Sequence, residues 1–314
     1  MRVAIVGAGG VGGYFGSRWA RAGIDVTFLA RGAHLEALRT KGLRLISPLG
    51  DDHVVVSAEE KADDVGEVDL IVLATKSWQL PEAAEGLSPM VGPETAVVGL
   101  QNGVEAAAVL SNVLPGAQVL GGTCRIISFI EAPGVIRHAG IEPTVFLGDR
   151  SETRRGLAAA IVERLQGVEG VSLHLALDVE AEIWRKFLFF APVSGVGSVT
   201  QVPIGLLRRI PETRKVLEGA MQEVFDLAGA LGVNLPASSV ADALAFVDAA
   251  PEDGTSSMQR DFRDGRPTEL EELSGAVVGL GVRAEVDVPI HSMLFASLLP
   301  RHMEAHGTLE FSNP

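Results

Sequence analysis

Gly7-Ala8-Gly9-Gly10-Val11-Gly12 follows the β-branched run Val3 to Val6 and opens a segment, Val11 to Ala22, with apolar residues at helical spacing. Glycines in this order bring backbone N–H groups up to a pyrophosphate. Gly7 permits the tight turn, Gly9 lets backbone approach the phosphates, and Gly12 allows close helix–strand packing, while the helix N-terminus offers bare N–H groups and the positive end of its dipole. A merely flexible turn is the competing reading. An NAD site would place Asp or Glu at the end of the second strand, about 20 residues on, to take the ribose 2′-hydroxyl. This chain has Ala30 there, followed by Arg31, whose guanidinium fork suits a 2′-phosphate. NADPH/NADP is therefore the expected cofactor, against the alternative that Arg31 is a solvated loop cation.

Ligands of open α/β sheets bind beyond the carboxyl ends of the strands, so the first polar residues after each strand are candidates. Lys76 follows Leu70 to Thr75 and suits a phosphate or an anionic substrate. Asn102 follows Ala96 to Leu100 and suits a ribose or a substrate oxygen. Their plainer readings are a surface lysine and an Asn-Gly turn. Lys186 sits within an otherwise apolar helix face of the segment Glu182 to Phe190; burial would make it a usable proton donor, whereas snorkelling would leave it structural. Thr268 and Glu271 have capping-box spacing, which sets Glu269 in the first turn of a helix. His302 and His306 stand four apart without a third ligand, so an exposed helix face is expected and no metal site. Cys124 has no sequence neighbour that marks a nucleophile and reads as a small buried residue.

The elements that must position these groups alternate. Strand-like runs at Val3 to Val6, Asp25 to Ala30, Asp69 to Thr75 and Thr95 to Leu100 are separated by helical or polar stretches, which implies a parallel sheet. Leu43 to Val56 suggests a small hairpin, and Val119 to Gly148 a series of short strands with turns at Ala132-Pro-Gly134 and His138-Ala-Gly140. From about Asp178 helical periods dominate, so residues 1–177 form the expected nucleotide-binding domain and 178–314 a helical one. A length of 314 residues accommodates both. The charge of −14 disfavours nucleic acid and anionic membrane surfaces. The longest apolar run, Phe187 to Val199, is about 13 residues, too short for a membrane span, and is broken by Pro192 and two glycines. A single cysteine fits a reducing compartment, the cytoplasm by default.

Taken in order, Gly7 to Gly12, Leu29-Ala-Arg31-Gly32, Thr75-Lys76-Ser-Trp-Gln79, Leu100-Gln-Asn-Gly-Val104, Ala132-Pro-Gly-Val-Ile-Arg-His138, Trp184-Arg-Lys186, Ser256-Ser-Met258 and Gly265-Arg-Pro-Thr-Glu-Leu-Glu271 resemble the ketopantoate reductase (2-dehydropantoate 2-reductase) family over nearly the whole chain. The resemblance implies a Rossmann-type doubly wound parallel sheet followed by an all-helical domain, with NADPH and a small 2-keto acid in the cleft between. It makes Lys186 the general acid and Glu269 the group that positions that lysine or the new hydroxyl. Ser257 would hold substrate, and Lys76, Asn102 and Arg31 would serve the cofactor. A homodimer is the candidate assembly. The chain departs from the family at Phe190 and Ser194, substrate-binding positions that usually carry Asn. A ring in place of an amide removes two donors and an acceptor, which points to an alternative, more apolar 2-keto acid. A non-catalytic NADP-binding sensor and another two-domain dehydrogenase, such as an opine or 3-hydroxy acid enzyme, are the further alternatives.

Overall fold

The run at the N-terminus forms β1 (Arg2–Val6), buried from Val3 onward, as suits a strand covered on both faces. In the computed structural model, which describes residues 1–150 and 156–309, the chain packs as two units. The first comprises Met1–Gln101 and Glu105–Glu182; the second comprises Asn102–Val104 and the chain from Ile183. Val179 belongs to the first unit, where it fills space left by two glycines. A Cβ built on Gly121 or Gly148 would lie 2.5 or 2.7 Å from its side chain.

The strands of the first unit are β1, β2 (Asp25–Leu29), β3 (Leu43–Ile46), β4 (Asp52–Val54), β5 (Ser57–Glu59), β6 (Leu70–Leu73), β7 (Ala96–Gly99), β8 (Gln118–Arg125), β9 (Ser128–Ala132), β10 (Val135–His138), β11 (Thr144–Gly148) and β12 (Ser172–Leu175). Its helices are α1 (Gly10–Arg21), α2 (Gly32–Lys41), α3 (Leu80–Glu85), α4 (Ala106–Val113) and α5 (Leu157–Leu165). An eight-stranded sheet runs β12-β11-β8-β7-β6-β1-β2-β5, with the stretch from β8 to β5 parallel and β11 antiparallel to β8. Val3 sits opposite Val26 on one side and Leu70 on the other, so the strand order reverses about β1 and opens the crevice where such sheets bind ligands. The Leu43–Val56 hairpin forms as β3 and β4, and joins β10 and β9 in a separate four-stranded sheet. Helix α1 is tied to that hairpin through Arg18, which donates to Asp52 at 2.6 Å and to the Gly50 carbonyl at 2.9 Å while itself buried. A buried guanidinium is tolerated only with such partners.

All regular elements described in the second unit are helical. The long α6 (Val179–Thr200) enters it at Ile183, followed by α7 (Ile204–Arg209), α8 (Pro211–Ala230), α9 (Ser239–Ala249), α10 (Ser257–Arg263), α11 (Ala276–Ala284) and α12 (Pro289–Ala305). Helix α6 runs through Pro192. Its glycines are there for packing: a Cβ on Gly195 would lie 3.0 Å from Leu294, and one on Gly197 2.8 Å from Gln259. Phe187, Leu188, Leu217, Met221, Val224, Met258, Leu270 and Leu273 fill the core. Val288 offers no side-chain cap at the start of α12, and Glu223 of α8 supplies one, accepting from the N–H groups of Ile290 and His291 at 2.7 and 3.0 Å. Among the described residues no helix is long and apolar enough to cross a membrane.

Candidate active site

The glycine loop of the first unit is shaped by contacts that exclude side chains. Gly7 adopts a φ of 96°, and a Cβ on it would lie 2.9 Å from the amide nitrogen of Thr75, so the loops after β1 and β6 touch. A Cβ on Gly12 would lie 2.2 Å from the Gly7 carbonyl oxygen, whereas one on Gly9 would meet nothing within 4 Å. Gly9 stands at the N-cap of α1 in extended conformation without a side-chain cap, its carbonyl accepting from Gly13 at 2.7 Å, and no acidic residue occupies the first turn. Gly10 packs its α-carbon against the Ser128 carbonyl, Ala8 is buried, and Val11 is partly buried against the core. Bare N–H groups, a positive dipole end and open space at Gly9 fit a dinucleotide pyrophosphate.

Beyond β2, Arg31 is exposed at the N-cap of α2. Glu59, whose carbonyl accepts from the Ala30 N–H, has its carboxylate paired with Arg39. The end of β2 thus presents an arginine and no acidic residue of its own. Lys76 is exposed after β6, its Nζ 5.4 Å from the centre of the Trp78 ring. Cys124 is buried, as expected of a small core residue.

In the second unit three predicted residues, far apart in sequence, form one chain of hydrogen bonds. The half-buried Lys186 on α6 donates from Nζ to Asn102 Oδ1 at 3.0 Å, and Asn102 Nδ2 donates to Glu269 Oε2 at 2.9 Å. An amide suits this place because its oxygen faces the cation and its nitrogen the anion. Gly103 holds the turn, with a φ of 96° and its α-carbon against the Glu272 carbonyl. Glu269 is 4% exposed. Phe190, one turn beyond Lys186 and half-buried, sets its ring centre 5.7 Å from Nζ, within cation–π range. Ser194, a turn further, is fully buried, and its Oγ has no hydrogen-bond partner among the described residues. Ser256 caps α10, accepting from the Gln259 N–H at 3.1 Å, which leaves the half-buried Ser257 as the first residue of that helix.

Two expectations need correction. The capping box does not form: helical bonding starts at the Glu269 carbonyl, through a π-turn over Glu271–Gly275 that has no side-chain cap, and the Thr268 hydroxyl pairs with His302 Nδ1 at 2.8 Å. The face carrying His302 and His306 is not exposed: His302 is 6% exposed, and His306 Nε2 lies 3.2 Å from the Thr268 nitrogen. Burial, with His306 adding to it, lowers the His302 pKa against a weaker pull from Glu271. The i, i+4 histidine spacing was visible in the sequence; its partner, 34 residues upstream of His302, was not. Among the described residues no group of three or more His, Cys, Asp or Glu side chains is placed to hold a metal.

Comparison with known proteins accounts for both halves. Residues 3–152 match the family model of ketopantoate reductase PanE/ApbA, and residues 178–301 match its C-terminal model. The 2-dehydropantoate 2-reductase of Mesorhizobium japonicum is 32% identical over 314 aligned residues, covering 92% of this chain and 94% of that protein. The crystal structure of a PanE/ApbA family ketopantoate reductase from Ralstonia eutropha superposes with a TM-score of 0.88 at 30% identity, covering 98% of this chain and all of that one. D-mandelate dehydrogenase, solved with NADH and anilino(oxo)acetate, shares the fold with a TM-score of 0.87 at 21% identity, over 98% of this chain and all of that one. The N-terminal parallel sheet, the helical second unit and these matches together establish that the chain belongs to the ketopantoate reductase family, oxidoreductases of the 2-dehydropantoate 2-reductase type.

Proposed function

We propose that this protein reduces ketopantoate to pantoate with NADPH in the cytoplasm. The observation that carries the reading is the chain Lys186–Asn102–Glu269, which places an ammonium donor and a carboxylate around one amide. The glycine loop with Lys76 would hold the dinucleotide, and Arg31 its 2′-phosphate. When bound, the reduced nicotinamide supplies hydride to the carbonyl carbon. Lys186 gives a proton to the carbonyl oxygen as negative charge develops there, and Asn102 keeps its Nζ in one place. Glu269 fixes the Asn102 amide from the other side and so keeps its oxygen turned toward the lysine. Ser257 would hold the substrate through its hydroxyl.

A second reading, reduction of a more apolar 2-keto acid, is favoured by Phe190. Its ring, beside Lys186, offers dispersion contact in place of hydrogen bonds to a polar substituent. Oxidation of NADPH across a panel of ketopantoate, alkyl and aryl 2-keto acids tests both. Turnover of ketopantoate fastest supports the first reading, fastest turnover of an alkyl or aryl acid the second, and no turnover of any 2-keto acid removes both.

A further inference from the structure

We propose that Thr268, His302 and His306 form a clasp that positions the Glu269 carboxylate; the inference rests on the role given to Glu269 above. Thr268 is fully buried. Its hydroxyl lies 2.8 Å from His302 Nδ1 and its backbone nitrogen 3.2 Å from His306 Nε2, so both the side chain and the peptide of the residue before Glu269 are held by α12. The two imidazoles stand one helical turn apart with ring centres separated by 4.3 Å. On the other side of Glu269, its own carbonyl accepts from the Leu273 N–H at 3.1 Å, and the Leu270 carbonyl accepts from Gly275 at 2.9 Å in the π-turn. The backbone is therefore fastened before and after Glu269, and Asn102 fixes the carboxylate at the end of the remaining side-chain torsions.

Such anchoring matters because a carboxylate inherits every shift of its own α-carbon. A displacement of about 1 Å at a reacting group can cost on the order of 100-fold in rate. Thr268 and His302 are buried, with His306 partly so, and an unpaired hydroxyl or imidazole in a buried place would be costly. Thr268, His302 and His306 are thus positioning residues that act through Glu269.

The test uses the full-length enzyme with NADPH and the fastest 2-keto acid of the panel. Thr268→Val keeps the branched shape and removes the hydroxyl. It is expected to lower kcat about tenfold, with KM and NADPH affinity changed less than about twofold, while Thr268→Ser restores kcat to within about twofold. In a Glu269→Gln background the same Thr268→Val change should cost less than about twofold, because the group it positions is already lost. If Thr268→Val fails to fold, His302→Leu is carried through the same comparison. A near-normal kcat in the single variant overturns the clasp, as does a full tenfold loss persisting beside Glu269→Gln. Full activity of Glu269→Gln alone overturns the role of Glu269 and the clasp with it.

Discussion

The carbonyl oxygen of Gly7 lies where a methyl group on Gly12 would come within 2.2 Å of it, while a methyl on Gly9 would point into open space. Two glycines of one motif are therefore required for different reasons. Gly12→Ala is expected to disrupt packing of α1 on β1 and lower stability by about 1–3 kcal/mol, the usual cost of overpacking. Gly9→Ala should leave the melting temperature nearly unchanged yet weaken NADPH binding at least about tenfold, by obstructing the pyrophosphate. Thermal melts and cofactor titration of the two variants would separate these effects. Equal behaviour of the pair would contradict the division of roles.

Arg31 is exposed and begins α2 beside Ala30, with the neighbouring Glu59 already paired to Arg39. NADPH should therefore be preferred to NADH, and Arg31→Ala should narrow the preference by about 1–3 kcal/mol, the worth of hydrogen bonds to charged groups. The ratio of kcat/KM for the two cofactors measures this. Equal use of NADH by the parent protein would rule out the 2′-phosphate role.

Lys186→Ala should reduce kcat by about 10² to 10⁴, the size of a general-acid contribution, and leave NADPH affinity near that of the parent. Single-turnover NADPH oxidation and cofactor binding measured on the same preparation check the separation. A near-normal kcat would return Lys186 to a packing role on α6.

Much of this architecture was legible in the sequence where one physical requirement acts locally. The β-branched run before the glycines, the helical spacing after them and the positions of Lys76 and Asn102 behind strands follow from periodicity and turn chemistry. Pairing between distant segments was not legible. Short strands between Val119 and Gly148 were expected, but strand pattern does not say that β8 and β11 extend the main sheet while β9 and β10 join the β3–β4 hairpin. At Thr268 the capping-box spacing was satisfied, yet the helical turn begins beyond it and the hydroxyl pairs with His302 of a distant helix. Asn102 meets Lys186 and Glu269 across 84 and 167 residues, distances over which composition and spacing carry no information.

The Glu223–His291 pair links stability to pH. Burial raises the Glu223 pKa, but hydrogen bonds from the His291 ring and from the His291 and Ile290 N–H groups outweigh it, and the net shift is below the ordinary 4.5. A depressed folded value means that the unfolded chain takes up the proton first as pH falls. The stabilisation is therefore present above about pH 4.5 and lost as pH drops through the folded value. Glu223→Gln should cost about 2 kcal/mol at pH 7, and its gap to the parent should narrow on acidification. Urea denaturation at pH 7 and near pH 4 reads this out; a gap that stays constant would exclude the linkage.

Phe190 bears on which keto acid is used. Its ring centre lies 5.7 Å from Lys186 Nζ, one helical turn along α6, so a substrate whose carbonyl oxygen meets the lysine would set its neighbouring substituent near that ring. A hydroxyl desolvated against an aromatic face loses its hydrogen bond at a cost of about 1–3 kcal/mol, whereas an alkyl or aryl group there gains dispersion contact. Phe190→Asn restores two donors and an acceptor at the same site. It is expected to raise kcat/KM for ketopantoate relative to a phenyl- or alkyl-substituted 2-keto acid by about tenfold, since discrimination lies in that ratio. The variant also gives up the ring beside the ammonium, an effect shared by both substrates that cancels in their ratio. The ratio is therefore the quantity to measure, with a thermal melt to establish that the variant is folded. An unchanged ratio in a folded Phe190→Asn protein would mean that the ring does not touch the substrate, and the case for an apolar keto acid would lose its support.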